Sequence, residues 1–270
     1  DPRPVRADDD GQPSIGMGTG LAYLGKGRLL FYEDGILAAG QPSRWFSTDY
    51  GKTWGHPVPI ARSSDDKPWY IWDPPLVDRH PRTGKIIKLA ETGYRQSGTD
   101  SQASIRFSTD LGQTWSRSIT VPEWHGVNEV SLFRAGNGHL LAACRTDVPR
   151  RLKGKTLDHY EGLGVSISRD DGLTWSPVKK IYDYGRHHQS LVLMPNKDIV
   201  MTYVVRLGYV DDKDGFPQFG IEAVVSHDHG VNWDLDHRYL LHVWPGKRKG
   251  ETYWWPSSQS TSSTLLPDGS

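Results

Sequence analysis

Cysteine is nearly absent from this chain of 270 residues. Cys144 stands alone, so neither an internal disulfide nor a cysteine-built zinc site can form. An excess of charge of one sign is missing too. The 32 Lys and Arg balance the 32 Asp and Glu, which removes the main electrostatic reason to expect a nucleic-acid partner. The short basic run GKRKG at 246–250 then reads as a solvated loop. No apolar run approaches the roughly 18 residues of a membrane span. The chain opens on Asp1 without a charged n-region and apolar h-region. That opening is read as a missing N-terminus, with a secreted or periplasmic protein as the expectation. The acidic loop VDDKDG at 210–215 lacks the alternating oxygen ligands and closing glutamate of a calcium loop. No metal site and no cofactor are therefore expected.

Glycine and tryptophan, by contrast, are plentiful, at 29 and 11 residues. With no convincing 3.6-residue apolar periodicity, they point to short strands joined by many turns. One octamer recurs: STDYGKTW (47–54), STDLGQTW (108–115), SRDDGLTW (168–175) and, loosened, SHDHGVNW (226–233). The copies begin at Ser47, Ser108, Ser168 and Ser226, at spacings of 61, 60 and 58 residues. A hairpin pattern precedes each copy, at 21–34, 75–91, 131–145 and 190–206. Each has an apolar strand, a polar turn and a returning apolar strand. A feeder strand enters each octamer (SRWF, ASIRF, GVSI, EAVV), and another short apolar run follows it. One unit is thus about four strands, which at this period describes a propeller blade. A β-sandwich would not require one octamer at near-constant spacing. SSTLLPDGS at 262–270 reads as the opening strand and turn of a fifth hairpin, so the chain is expected to be an incomplete propeller.

Each part of the octamer has a local structural task. Gly51, Gly112, Gly172 and Gly230 permit a tight turn, and the aspartates and hydroxyls can bond its backbone. Trp54, Trp115, Trp175 and Trp233 are expected to start the next strand. A catalytic site needs unlike groups converging once, so the repeated boxes are read as structural.

The octamer resembles the Asp box of the sialidase (neuraminidase) superfamily, and the repeats cover residue 20 to the C-terminus. WDPPLVDRHPRTGKI (72–86), LLFYE (29–33) and NEVSLFRAGNGHLLAACR (128–145) are similar to sialidase segments. The resemblance implies an all-β fold, a six-bladed β-propeller of which about four blades and the start of a fifth lie in this chain, as one incomplete domain over 1–270. It also implies retaining hydrolysis through a tyrosine activated by a glutamate. An aspartate would serve as acid/base, and three arginines would clamp the substrate carboxylate in bidentate geometry.

Carried onto this sequence, Glu129 matches the activating glutamate and Arg145 the arginine closing the same hairpin. Arg206 closes the next hairpin as a second clamp candidate, and Arg95 is a further substrate-binding candidate. Asp73 is expected at the start of an inner strand, facing the central mouth as a further catalytic candidate. The sequence also departs from the pattern. PSIGMG (13–18) holds no first arginine, with Arg3 and Arg6 out of register, and the loop 35–44 holds no acidic residue, with Asp34 the nearest. The tyrosine position falls near Ser260, where Tyr253 is a poor substitute. His187 and His188 precede the inner strand of the fourth hairpin, as Glu129 does in the third. One of them is expected at the central mouth, where imidazole suits proton transfer.

Three functions follow as expectations. The first is a sialidase-like glycoside hydrolase that removes a terminal acidic sugar, with a glycan as its partner. The second is a polysaccharide lyase or non-sialic glycosidase using His188. The third is a non-catalytic glycan-binding propeller, in which YWWPSSQS (253–260) could stack a sugar ring.

Overall fold

A computed structural model describes residues 18–33, 42–62, 69–80, 82–97, 100–152, 154, 158–207, 219–243 and 261–266. Within them the regular secondary structure is strand, joined by turns and extended connectors, apart from two three-residue 3-10 turns at Arg150–Leu152 and Asp158–Tyr160. The first hairpin is β1 (Gly18–Gly25) and β2 (Arg28–Glu33), followed by β3 (Ser43–Ser47) and β4 (Val58–Pro59). Next come β5 (Leu76–Arg79), β6 (Ile86–Ser97), β7 (Asp100–Ser108) and β8 (Ile119–His125). Then follow β9 (Val127–Arg134), β10 (Leu140–Thr146), β11 (Gly162–Ser168) and β12 (Lys179–Tyr182). The last four are β13 (Arg186–Leu193), β14 (Ile199–Val205), β15 (Gly220–Ser226) and β16 (Tyr239–Val243). Consecutive strands are neighbours in four four-stranded sheets. Every paired hairpin is antiparallel. The repeat read from sequence is therefore one blade of a β-propeller: hairpin, feeder strand, Asp box, outer strand.

Each Asp box is a closed loop of hydrogen bonds. Ser47 Oγ donates to Asp49 Oδ1 at 2.8 Å and accepts from Gly51 N at 2.9 Å. Asp49 in turn accepts from Thr53 N at 2.9 Å and Thr53 Oγ1 at 2.6 Å. The second and third boxes repeat these contacts. In the fourth, Asn232 takes the place of the threonine. The Thr53 hydroxyl and amide hold the Asp49 carboxyl down to about 2, and Asp110 and Asp170 reach about 2 by the same means.

The tryptophans differ from expectation. They do not begin the following strand. Trp175, for instance, lies four residues ahead of β12 in an extended connector. Its indole Nε1 donates back to Gly172 O at 3.2 Å, as Trp115 does to Gly112 O at 2.9 Å. The ring closes the turn, which delays the next strand. Of the segment read as the opening of a fifth hairpin, 262–266 forms no named strand, and 267–270 lies outside the described residues. Without a ladder partner among the described residues, the segment is held largely by hydroxyls. Thr261 Oγ1 donates to His188 O at 2.7 Å, and Ser263 N donates to Ser190 Oγ at 2.9 Å.

The chain divides into two compact units. The first takes the described residues up to 97 with 102–120, and the second takes 100–101 with the residues from 121 onward. The first unit packs Leu24, Leu30, Tyr32, Ile60, Trp69 and Leu89 into its core. Within it, the buried Glu91 carboxylate accepts from Tyr32 Oη at 2.7 Å and from Arg44. The second unit packs Leu141, Leu163, Ile199, Met201, Tyr203 and Val224.

Inner strands in both units share one irregularity. In β9, Val130 faces Cys144 but Val127 faces Thr146, so Asn128 and Glu129 together oppose Arg145. In β13, Ser190 faces Thr202 but His187 faces Val204, so His188 and Gln189 oppose Tyr203. β1 shifts at Thr19 in the same way. A bulge of this kind re-aims side chains at a strand end.

Candidate active site

The second unit brings Glu129, Arg145 and His188 together. Glu129 lies in the β9 bulge, with its side chain 4% exposed. Its Oε1 accepts from Arg145 Nη1 at 2.6 Å. Its Oε2 stands 3.0 Å from His188 Nδ1. His188 lies in the β13 bulge with φ at 54°, left-handed backbone that a non-glycine residue adopts at a cost of about 1–3 kcal/mol. The two bulges thus aim residues from consecutive blades at each other.

Neighbouring groups fix this pair. Asn128 Oδ1 accepts from Glu129 N at 2.7 Å. Asn128 Nδ2 donates to Asp147 Oδ1 at 3.2 Å, and Asp147 Oδ2 accepts from Ser101 N at 2.6 Å. Gln189 Nε2 ties β13 to the third sheet through Ala143 O at 2.7 Å. The His187 and His188 rings meet edge-on with centroids 4.4 Å apart. Burial lowers the His188 pKa, and the Arg145 and Arg206 charges push the same way against the pull of Glu129. At neutral pH the ring is therefore an uncharged imidazole.

Arg206 follows β14 directly and is fully buried. Its backbone N donates to Gly185 O at 2.8 Å. Glu161, one residue ahead of β11, was not singled out from the sequence. Arg145 Nε donates to Glu161 Oε2, so the same guanidinium holds two carboxylates. Burial pushes the Glu161 carboxyl up to about 7, with Glu129 and Asp147 adding to the rise against Arg145. The available signal was positional. Arg145 pairs with Leu163, which brings the residues just ahead of β11 beside the arginine.

The four blades carry the repeat of a family model described as a BNR repeat-like domain, which matches residues 25–242. The chain belongs to the BNR repeat-like family. A sialidase of Clostridium perfringens is 24% identical over 225 residues, covering 76% of this chain and 55% of the sialidase. The chain thus spans about half the length of that curated relative. A Penicillium chrysogenum alpha-L-arabinanase complexed with arabinobiose superposes with a TM-score of 0.56 at 18% identity. That match covers 77% of this chain and 61% of the arabinanase. A Hadza microbial sialidase gives 0.56 at 19% identity, covering 88% and 50%. At such identities the structures establish the shared propeller fold.

Two further sequence candidates of this BNR repeat-like chain, Asp73 and Arg95, lie in its first unit. Asp73 is half-buried in the connector three residues ahead of β5, rather than on the strand. Pro74 and Pro75 follow it and cannot donate to a ladder. Its backbone approaches β1 so closely that a Cβ on Gly20 would lie 2.8 Å from the Asp73 carbonyl carbon. Arg95 is half-buried on β6. Arg3, Arg6, Asp34, Tyr253, Ser260 and the segments 210–215 and 246–250 lie outside the described residues. Among the described residues no cluster of His, Cys, Asp and Glu could hold a metal ion. No helix there is long and apolar enough to cross a membrane.

Proposed function

We propose that the protein is a glycoside hydrolase that releases a terminal acidic sugar from a glycan. One observation carries the reading: Glu129, presented by a bulge, is held between Arg145 and His188. A carboxylate so fixed can take a proton from an attacking hydroxyl, while Arg145 and Arg206 supply positive charge for a substrate carboxylate. The sialidase relative supports the acidic sugar. The arabinanase likeness supports glycan hydrolysis in the coarser sense. The test is Glu129→Gln assayed on a fluorogenic N-acetylneuraminic acid glycoside. Turnover should vanish while the variant still folds and unfolds cooperatively, at a lower midpoint because Arg145 loses one carboxylate. Unchanged turnover would sink the assignment.

A second reading, a lyase or non-sialic glycosidase using His188, draws on the neutral imidazole beside Glu129. A lyase acting on a uronate polymer would yield an unsaturated product with new ultraviolet absorbance. A hydrolase would not.

A further inference from the structure

Arg145 is already doubly occupied. Its Nη1 donates to Glu129 and its Nε to Glu161, from the two strands that flank β10 or their extensions. If Arg145 receives a substrate carboxylate, as the proposed function requires, three carboxylates surround one guanidinium. Counting Arg206, three carboxylates then meet two arginine charges, so one negative charge lacks a match in a partly buried place, which is unfavourable unless it is neutralised. Glu129 is the poorer place for a proton, because it also faces His188. Glu161 faces Arg145 and is itself largely buried, its side chain 17% exposed, and burial favours its neutral form.

We infer that binding of an acidic sugar at Arg145 is coupled to uptake of one proton by Glu161. The charged groups around Glu161 agree. Arg145 comes from β10, Glu129 from β9 and Asp147 from just beyond β10, so two of the three are anionic and favour its neutral form. Asp183, beyond β12, is itself engaged by Arg151 and Lys180. Glu161 then determines specificity. Charged, it competes with an anionic ligand for Arg145. Protonated, it can keep its place beside Arg145 and leave the positive charge to the ligand. A neutral sugar would bind without this cost.

The experiment is calorimetric titration of the protein with N-acetylneuraminic acid and with glucuronate between pH 5 and 9. Each ligand is run in two buffers of different ionisation enthalpy. Above the Glu161 transition at about 7, affinity should fall by about tenfold per pH unit, with close to one proton taken up per ligand. Glu161→Gln keeps an acceptor for Arg145 and should flatten both the slope and the uptake. If that variant does not fold, the wild-type proton count alone decides. Binding with no proton uptake across this range would overturn the inference, as would an unchanged slope in Glu161→Gln. Absence of binding by either acid at every pH would overturn the proposed function first, and the coupling with it.

Discussion

Glu129 and His188 hold the same place in consecutive blades, and their side chains meet with Oε2 3.0 Å from Nδ1. In each blade the residue lies in a bulge at the start of the inner strand. The bulge turns the side chain out of the alternation of the strand, and two such turns make a pair that a regular ladder would keep apart.

The pair makes stability sensitive to acid in a predictable direction. Burial holds the folded His188 pKa below its ordinary 6.5. The unfolded chain therefore binds the proton first. Stability from the neutral ring is present above pH 6.5 and is lost as pH falls below it. Because Glu161 gains stability over part of the same range, the loss is read as a difference: in urea unfolding from pH 7.5 to 5, His188→Gln should lose less stability, or gain more, than the wild type. An equal slope in the variant would assign the sensitivity elsewhere.

Glu161 acts in the opposite sense. Its carboxyl rises from 4.5 to about 7 on folding, so the folded state binds the extra proton. Its contribution is full below pH 4.5 and disappears as pH rises through about 7. At about 1.4 kcal/mol per unit, the shift sets an upper figure of about 3 kcal/mol for the cost of keeping this group charged at pH 8. Glu161→Gln should therefore raise the urea midpoint at pH 8 more than at pH 5. A larger gain at pH 5 would contradict the assignment.

How far the sequence foretold this arrangement depends on how local each feature is. The Asp box is legible because Ser47, Asp49, Gly51 and Thr53 bond one another within seven residues. Hairpins are legible because a turn and two apolar runs suffice. Glu129, Arg145 and His188 emerge once the boxes fix the register, since they are what differs between repeats. Glu161 does not, because its link to Arg145 follows from β10–β11 pairing rather than from any nearby signature. Nor does the tryptophan's delay of the outer strand, which depends on where the indole N–H points.

The boxes should matter for stability and not for chemistry. Asp170 anchors Thr174 through its amide at 2.9 Å and also accepts from its hydroxyl at 2.5 Å. Asp170→Ala removes both contacts, and Asp170→Asn keeps an acceptor, so the melting temperature should fall further for Ala. kcat/KM on the glycoside substrate should hold for the folded fraction of each. Because Asp49, Asp110 and Asp170 sit at about 2 against 3.8, their stabilisation is present above pH 3.8 and fades as pH falls through about 2. A loss of kcat/KM in well-folded Asp170→Asn would argue against a purely structural box.

The buried Arg186–Glu222 pair gives the most demanding test of what holds the fourth blade. Both side chains are fully buried, with Arg186 Nε 3.1 Å from Glu222 Oε2. Tyr203 Oη donates to the same oxygen at 3.0 Å, and Tyr203 and Tyr182 share a hydrogen bond at 2.7 Å. The Arg186 guanidinium also lies 4.7 Å from the Tyr182 ring centroid. Glu222→Gln keeps the shape but leaves a buried cation facing an amide. Breaking one side of such a pair costs about 3–5 kcal/mol. Arg238 Nη1 also lies 3.6 Å from Glu222 Oε2, so Glu222→Gln leaves two cations without their carboxylate, whereas Arg186→Met with Glu222→Leu leaves one, and the double variant should lose less than Glu222→Gln alone. Equilibrium urea unfolding of the three proteins measures the difference. If the double variant is the least stable, the ion pair contributes net attraction beyond its desolvation cost, and the blade depends on the charges themselves rather than on their balance.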